Sequence, residues 1–189
     1  MLSKIDILRG LDRIDQEARR AGVVVDLAIY GGAALAITFD LRQATRDVDA
    51  VVSGDPAFLR RVVAEVAADY GWPPDWLNDG VKGFLSAHEK LQAVGQFQGS
   101  GQGGLRLYVP TPEYLFAMKA MAMRTGGLGA GNDVPDIEAL AEILQLKQVG
   151  EALALIEDFY PAGQIPAKVR FGVEEIIQRV IARRVTPSP

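Results

Sequence analysis

Residues 30–52 read YGGAALAITFDLRQATRDVDAVV, and the fold turns on this stretch. It joins the end of an apolar strand to a double-glycine break, a short helix, a polar loop and an acidic strand. Just upstream, Val23 to Tyr30 is short, nearly all apolar and rich in β-branched residues, the composition of a strand covered on both faces. Gly31-Gly32 interrupts it, and Ala33 to Phe39 reads as a short helix. After the loop DLRQATR, Asp47 to Val52 is again β-branched and ends at Ser-Gly-Asp-Pro, which marks a second strand.

On the amino-terminal side, Ser3 to Arg20 places Ile5, Ile7, Leu8, Leu11 and Ile14 at helical spacing, and Gly22 closes what reads as a surface helix. On the carboxy-terminal side, Asp55 caps a helix that has Pro56 in its favoured first position and runs to Gly71. WPPDWLND, residues 72–79, is a Pro-rich turn opening a further short helix. Ala93 to Phe97 and Leu105 to Val109 form a hairpin around QGSGQGG. From Thr111 the chain reads as helical: Thr111 to about Arg124, Asp133 to Leu146, Val149 to Phe159 and Ala167 to Arg183. These elements define an α/β (α+β) chain, with a small mixed sheet flanked by helices in residues 1–110 and a helical part in residues 111–189.

Composition narrows the function classes. With 49% hydrophobic and 23% charged residues the chain is globular, and it holds no apolar run of the roughly 18 residues a membrane span needs. The first 20 residues are broken by charge at every turn, unlike a secretory signal, so the expected compartment is the cytoplasm, with no membrane partner. The absence of cysteine excludes disulfides and thiolate metal sites. A net charge of −4 gives no general attraction to nucleic acid, and the basic RVIARRV near the end reads as a solvated last helical turn.

The acidic strand carries the chemistry. Strand alternation puts Asp47 and Asp49 on one face, about 7 Å apart, where two carboxylates repel unless a cation or hydrogen bonds compensate. Magnesium suits such a pair, because it takes a few carboxylate oxygens and completes its shell with water and substrate phosphates. The Gly31-Gly32 break lets backbone approach a ligand, and the first amides of the following helix form a positive end suited to a triphosphate. Taken singly, each feature has an ordinary reading: a glycine pair is a turn, and a D-x-D is a solvated strand face whose carboxylates pair with Arg42 or Arg46. Their combination on a strand, turn, helix, loop, strand framework favours the chemical reading.

GGAAL at residues 31–35, then a helix, then Thr45, Asp47 and Asp49 with Arg42 and Arg46 beside them, resembles the signature of the nucleotidyltransferase superfamily of polymerase-beta-type fold. It is especially similar to the branch of AbiEii-like bacterial toxins and their uncharacterised relatives. LFAMKAMAMR, residues 115–124, and NDVPDIEAL, residues 132–140, extend the resemblance through a lysine helix and a D-x-x-D helix, and the WLND string at residues 76–79 is also similar to that branch. The resemblance implies a nucleotidyltransferase core with the helical part packed on it. The implied activity is transfer of a nucleoside monophosphate from an NTP to a hydroxyl with Mg2+ (or Mn2+). Asp47 and Asp49 would bind the metal. Gly31, Gly32, Arg42, Thr45, Arg46 and Lys119 would hold the nucleotide, and Lys119, Asp133 and Asp136 would join the catalytic set. A tRNA end is the acceptor suggested by the toxin relatives, other hydroxyls occur in the superfamily, and an antitoxin protein is the implied partner.

Lys119 has only apolar neighbours one turn away, Leu115, Phe116, Ala122 and Met123, so its ammonium either snorkels to solvent or meets an anion. Asp133 and Asp136 read from position alone as carboxylates at a helix start, and the resemblance has one of them pair with Lys119 or complete the active site. One feature departs from the family: the later strands carry no third carboxylate to act as base. That departure motivates the alternative of a non-catalytic binding protein of the same fold. His88, the only histidine, reads as an exposed residue without catalytic partners, TGGLGAGN as a flexible connection, and Trp72 and Trp76 as packing at the domain edge.

Overall fold

The computed structural model describes residues 1–123 and 133–185. The chain is a mixed α/β protein, as its sequence implies. In order it runs β1 (Leu2–Ser3), α1 (Lys4–Ala21), β2 (Val24–Ile29), α2 (Gly31–Phe39), β3 (Ala44–Thr45), β4 (Val48–Ser53), α3 (Pro56–Tyr70) and β5 (Leu77–Asn78). A 3-10 helix (Gly80–Phe84) leads to β6 (Leu91–Ser100) and β7 (Gly103–Pro110). The helices α4 (Pro112–Ala122), α5 (Asp133–Ile143), α6 (Val149–Glu157) and α7 (Ala167–Val185) follow. The end of the fourth helix at Arg124 and the glycine-rich TGGLGAGN lie outside the described residues. Among the described residues no helix is long and apolar enough to cross a membrane.

Two compact units divide the chain, Met1–Gly83 with Leu91–Pro110, and Phe84–Lys90 with Thr111–Pro189. The sequence boundary at 110 is therefore incomplete, because the short segment 84–90 belongs with the later helices. Its bonds explain why: the Ser86 N–H donates to the Tyr114 hydroxyl at 2.9 Å, the Ser86 hydroxyl donates to the Phe159 carbonyl, and the Tyr160 hydroxyl donates to the Phe84 carbonyl at 2.6 Å.

In the first unit a five-stranded sheet has the order β5-β4-β2-β7-β6. The β2–β7 and β4–β5 pairs are parallel and the β2–β4 and β6–β7 pairs antiparallel, while β1 and β3 form a separate antiparallel pair. Strand β2 departs from the expectation of full coverage. Val25, Leu27 and Ile29 are buried, but the alternate residues are only partly so, and Asp26 on that side pairs with Arg106 of β7 at 2.6 Å. Strand β5 was not expected; two residues are too few to show a period, and they pair with β4 at the end of the Pro-rich turn, which then opens the short 3-10 helix as anticipated.

Helix α1 begins with a reciprocal cap. The Ser3 hydroxyl accepts from the Asp6 N–H, and the Asp6 carboxylate accepts from the Ser3 N–H at 2.8 Å. Hydrogen bonds from the Ser3 hydroxyl, then from its backbone N–H, hold the Asp6 carboxyl below its ordinary pKa. A depressed carboxylate contributes stability that is present at neutral pH and lost as pH falls through its folded-state value. Asp6→Asn is accordingly expected to flatten the acid limb of a stability–pH curve below about pH 4, measured by urea unfolding; an unchanged limb would refute the link.

The stripe Ile7, Leu11, Ile14 and Ala18 of α1 has no exposed surface while Arg9, Asp12, Gln16 and Arg20 are exposed, the pattern of the surface helix expected; Ile5, counted in the apolar set, is 78% exposed instead. Trp76 is fully buried, with its indole N–H donating to the Val63 carbonyl at 3.1 Å, so it packs in the core rather than at an edge. Its ring lies against Gly10, where an added Cβ would stand 2.8 Å from Trp76 Cη2 and 3.0 Å from Trp72 Cζ3. Gly10→Ala sets a helix preference of about 1 kcal/mol against overpacking of about 1–3 kcal/mol. The buried indole has little room to yield, so a lower thermal midpoint is expected; a rise would show that the tryptophans move freely.

In the second unit α4 is buried around most of its circumference, with Tyr114, Leu115, Phe116, Ala117 and Ala120 fully buried. Tyr114 stacks on Phe159 with ring centroids 4.9 Å apart. The carboxy-terminal arginines are exposed in the last turns of α7, as expected, and they also find acidic partners. Arg179 and Arg183 both pair with Glu138, and Arg184 pairs with Glu142 and donates to the carbonyls of Ala141 and Leu146, tying α7 to α5.

Candidate functional site

The site is built where β2 gives way to α2. The Tyr30 N–H donates to the Asp49 carbonyl at 2.9 Å, so the end of β2 is locked to β4 and the next residue lies beside the Asp49 side chain. That residue, Gly31, has φ +61°, and a Cβ on it would stand 3.1 Å from Asp49 Oδ2. The left-handed backbone favours glycine here, and a side chain would also press on the carboxylate. The helix begins at Gly31 itself rather than at Ala33, so the glycine pair forms its first turn instead of preceding it.

Gly32 brings in the polar loop. A Cβ on it would stand 2.9 Å from Thr45 Oγ1 and 3.2 Å from Arg42 Nη1. On the far side of Asp49 lies Gly80, whose Cβ would stand 3.2 Å from Asp49 Oδ1. Gly31, Gly32, Arg42, Thr45 and Asp49, expected from sequence, thus gather at one place. Asp47 sits one residue before β4, not within it. Val48 and Ala50 are 0% and 1% exposed, so alternation directs Asp47 and Asp49 to the other side. Arg46 is exposed beside them.

Sequence reading missed Asn78 and Gly80. Asn78 is the register partner of Asp49 across β4 and β5, and its Oδ1 accepts the Gly80 N–H at 2.8 Å. The one signal in the sequence is the WLND string, which contains Asn78 and ends one residue before Gly80.

Among the described residues no three acidic, histidine or cysteine side chains gather as a metal cage. A two-carboxylate strand still suits magnesium, which needs few protein ligands when phosphate and water supply the rest. Gly31 and Gly80 approach the two oxygens of Asp49 so closely that a Cβ on either would press on them. A groove of about 530 Å³ in this unit has Ala50 and Val52 as its β4 wall, on the opposite face from the two aspartates; α3 forms a second wall and Leu77, Asn78 and Asp79 a third, so it borders the same turn.

Lys119, Asp133 and Asp136 form their own cluster in the second unit. The ammonium lies 3.0 Å from Asp133 Oδ1 and 2.9 Å from Asp136 Oδ2, with side-chain exposures of 11% for Lys119 and 5% for Asp136. Lys119 therefore meets anions rather than snorkelling, and both aspartates, not one, hold it. His88 is exposed in a turn and has no catalytic partner among the described residues. No known protein family, no curated protein and no solved structure matches this chain.

Proposed function

We propose that this protein transfers a nucleoside monophosphate from an NTP to a hydroxyl acceptor, using Mg2+ or Mn2+ held by Asp47 and Asp49. The observation that carries the reading is the Asp49 carboxylate set between the bare backbone of Gly31 and Gly80, at the first turn of a helix and beside Arg42 and Thr45. Asp47 and Asp49 hold the cation. The first amides of α2, which lack intrahelical acceptors, face the phosphates with the positive end of the helix. Arg42 adds cationic charge and Thr45 a hydroxyl at that turn. The divalent ion, when bound, neutralises charge on the reacting phosphate and favours departure of pyrophosphate. Rate enhancement then rests on positioning and electrostatics, without a covalent enzyme intermediate.

Lys119 is already matched by two carboxylates, so we assign its cluster to the stability of the second unit. The acceptor class follows the toxin-like resemblance, a tRNA end. A second reading, a nucleotide-binding protein without transfer that acts on an antitoxin or regulatory partner, is favoured by one observation: β6 and β7 carry no acidic residue. Calorimetry with Mn2+ or Mg2+ and each NTP, followed by transfer of α-phosphate label to total tRNA, separates the two. Cation-dependent NTP binding with labelled product supports the transferase, and binding without product supports the second reading. Absence of cation uptake in the presence of every NTP sinks both.

A further inference from the structure

We infer that the Asn78–Gly80 turn is a positioning element for the Asp49 carboxylate, an inference that rests on the cation-binding role proposed above. The turn starts from a fixed point. Trp76 is fully buried, and its carbonyl accepts the Val48 N–H at 2.7 Å, so β5 is tied to β4 immediately before Asn78. Asn78 then bends the chain with its own side chain, accepting the N–H of Gly80 two residues on, the local bond by which asparagine shapes turns. This bend delivers the Cα of Gly80 against Asp49 Oδ1, while Gly31 stands against Oδ2. The carboxylate is thereby held from both sides by backbone that has no side chain to intrude.

The consequence of adding one methyl is specific. On Gly80 it would lie 3.2 Å from Asp49 Oδ1 and 3.0 Å from Asn78 Oδ1, both tighter than ordinary contact. Two side-chain oxygens yield more readily than backbone, so the expected relief is a shift of the carboxylate by a few tenths of an ångström rather than unfolding. A cation site is sensitive to such a shift, because magnesium holds oxygens at about 2.0–2.1 Å in near-octahedral geometry. Working sites need their groups placed within about 0.5 Å. The neighbouring Asp79–Lys82 pair, 2.6 Å apart, is exposed at both ends. It therefore serves as an internal control on the same turn.

The test is a Mn2+ titration of the full chain followed by electron paramagnetic resonance, with ATP present and circular dichroism as a check of folding. Gly80→Ala and Asn78→Ala are expected to weaken Mn2+ binding about tenfold or more, the range seen when groups that orient metal ligands are removed. Asn78→Ser, whose hydroxyl can accept the same N–H, is expected to recover part of the loss. Asp79→Ala is expected to match wild type. If Gly80→Ala does not fold, the alanine and serine variants of Asn78 carry the comparison. Wild-type affinity in both alanine variants would overturn the positioning role and leave the nucleotidyl reading standing. An equal loss in Asp79→Ala would overturn it too, since any change in the turn would then suffice. Absence of Mn2+ binding by wild type would overturn both.

Discussion

Asparagine in place of Asp49 is expected to lower nucleotidyl transfer on the order of 10²–10³-fold, the cost of removing one group that stabilises developing charge. It is also expected to weaken Mn2+ affinity at least tenfold. The substitution isolates charge from shape. The amide has nearly the size of the carboxylate, and the backbone bond from Tyr30 to the Asp49 carbonyl is untouched. One hard anionic oxygen is lost, and an N–H₂ donor is turned toward a position where a cation must stand. Transfer and Mn2+ binding at wild-type levels in Asp49→Asn would remove the foundation of the proposed chemistry. A collapse of the fold would show instead that Asp49 is structural.

Lys119→Met is expected to destabilise the protein by on the order of 3 kcal/mol, the cost of stripping a buried charge of its counterion. Asp136 is 4% exposed and Asp133 lies beside it, so loss of the ammonium leaves two carboxylates facing each other in a poorly solvated place. Changing both sides at once separates the cost of a broken pair from the worth of the pair. Lys119→Met combined with Asp136→Leu should recover much of the loss, because well-packed apolar groups often replace a buried ion pair at little cost. Urea unfolding measures both variants. A neutral single substitution would show that solvent already satisfies the aspartates. Restored stability together with lost transfer in the double variant would return Lys119 to the reaction, the role its motif suggested.

Much of the architecture was legible because it is written in local patterns. Asp55 and Thr111 each cap a helix that starts one residue later, and Pro56 and Pro112 sit at first helical positions. The buried stripe of α1 follows from its spacing, and the glycine-rich QGSGQGG does turn a hairpin. The gathering of Gly31, Gly32, Arg42, Thr45 and Asp49 was foreseen because those residues lie within 19 positions of one another and the strand, helix, strand order returns the chain to its starting point.

What escaped depends on partners distant in sequence. Gly80 carries no mark that distinguishes it from any turn glycine, and its place beside Asp49 follows from a two-residue strand with no readable period. The polar side of β2 was misread because Asp26 was counted within an apolar run, while its counterpart Arg106 lies 80 residues away. The double pairing of Lys119 depends on α5 lying along α4, and the arginines at the end of α7 find Glu138 and Glu142 more than 40 positions earlier. A helical pattern gives the face of such residues but not the neighbour that meets it.

The excursion of residues 84–90 bears on how this protein can be dissected. The chain leaves the sheet unit at Phe84, contributes Ser86 to the helical unit, comes back for the β6–β7 hairpin and departs again at Thr111. Severing it after Pro110 would leave an amino-terminal fragment trailing seven orphaned residues, and a carboxy-terminal one in which the Tyr114 hydroxyl and the Phe159 carbonyl have lost their Ser86 partner. Neither piece would be a faithful proxy for its half, and a faithful excision would require rejoining the backbone in a new order.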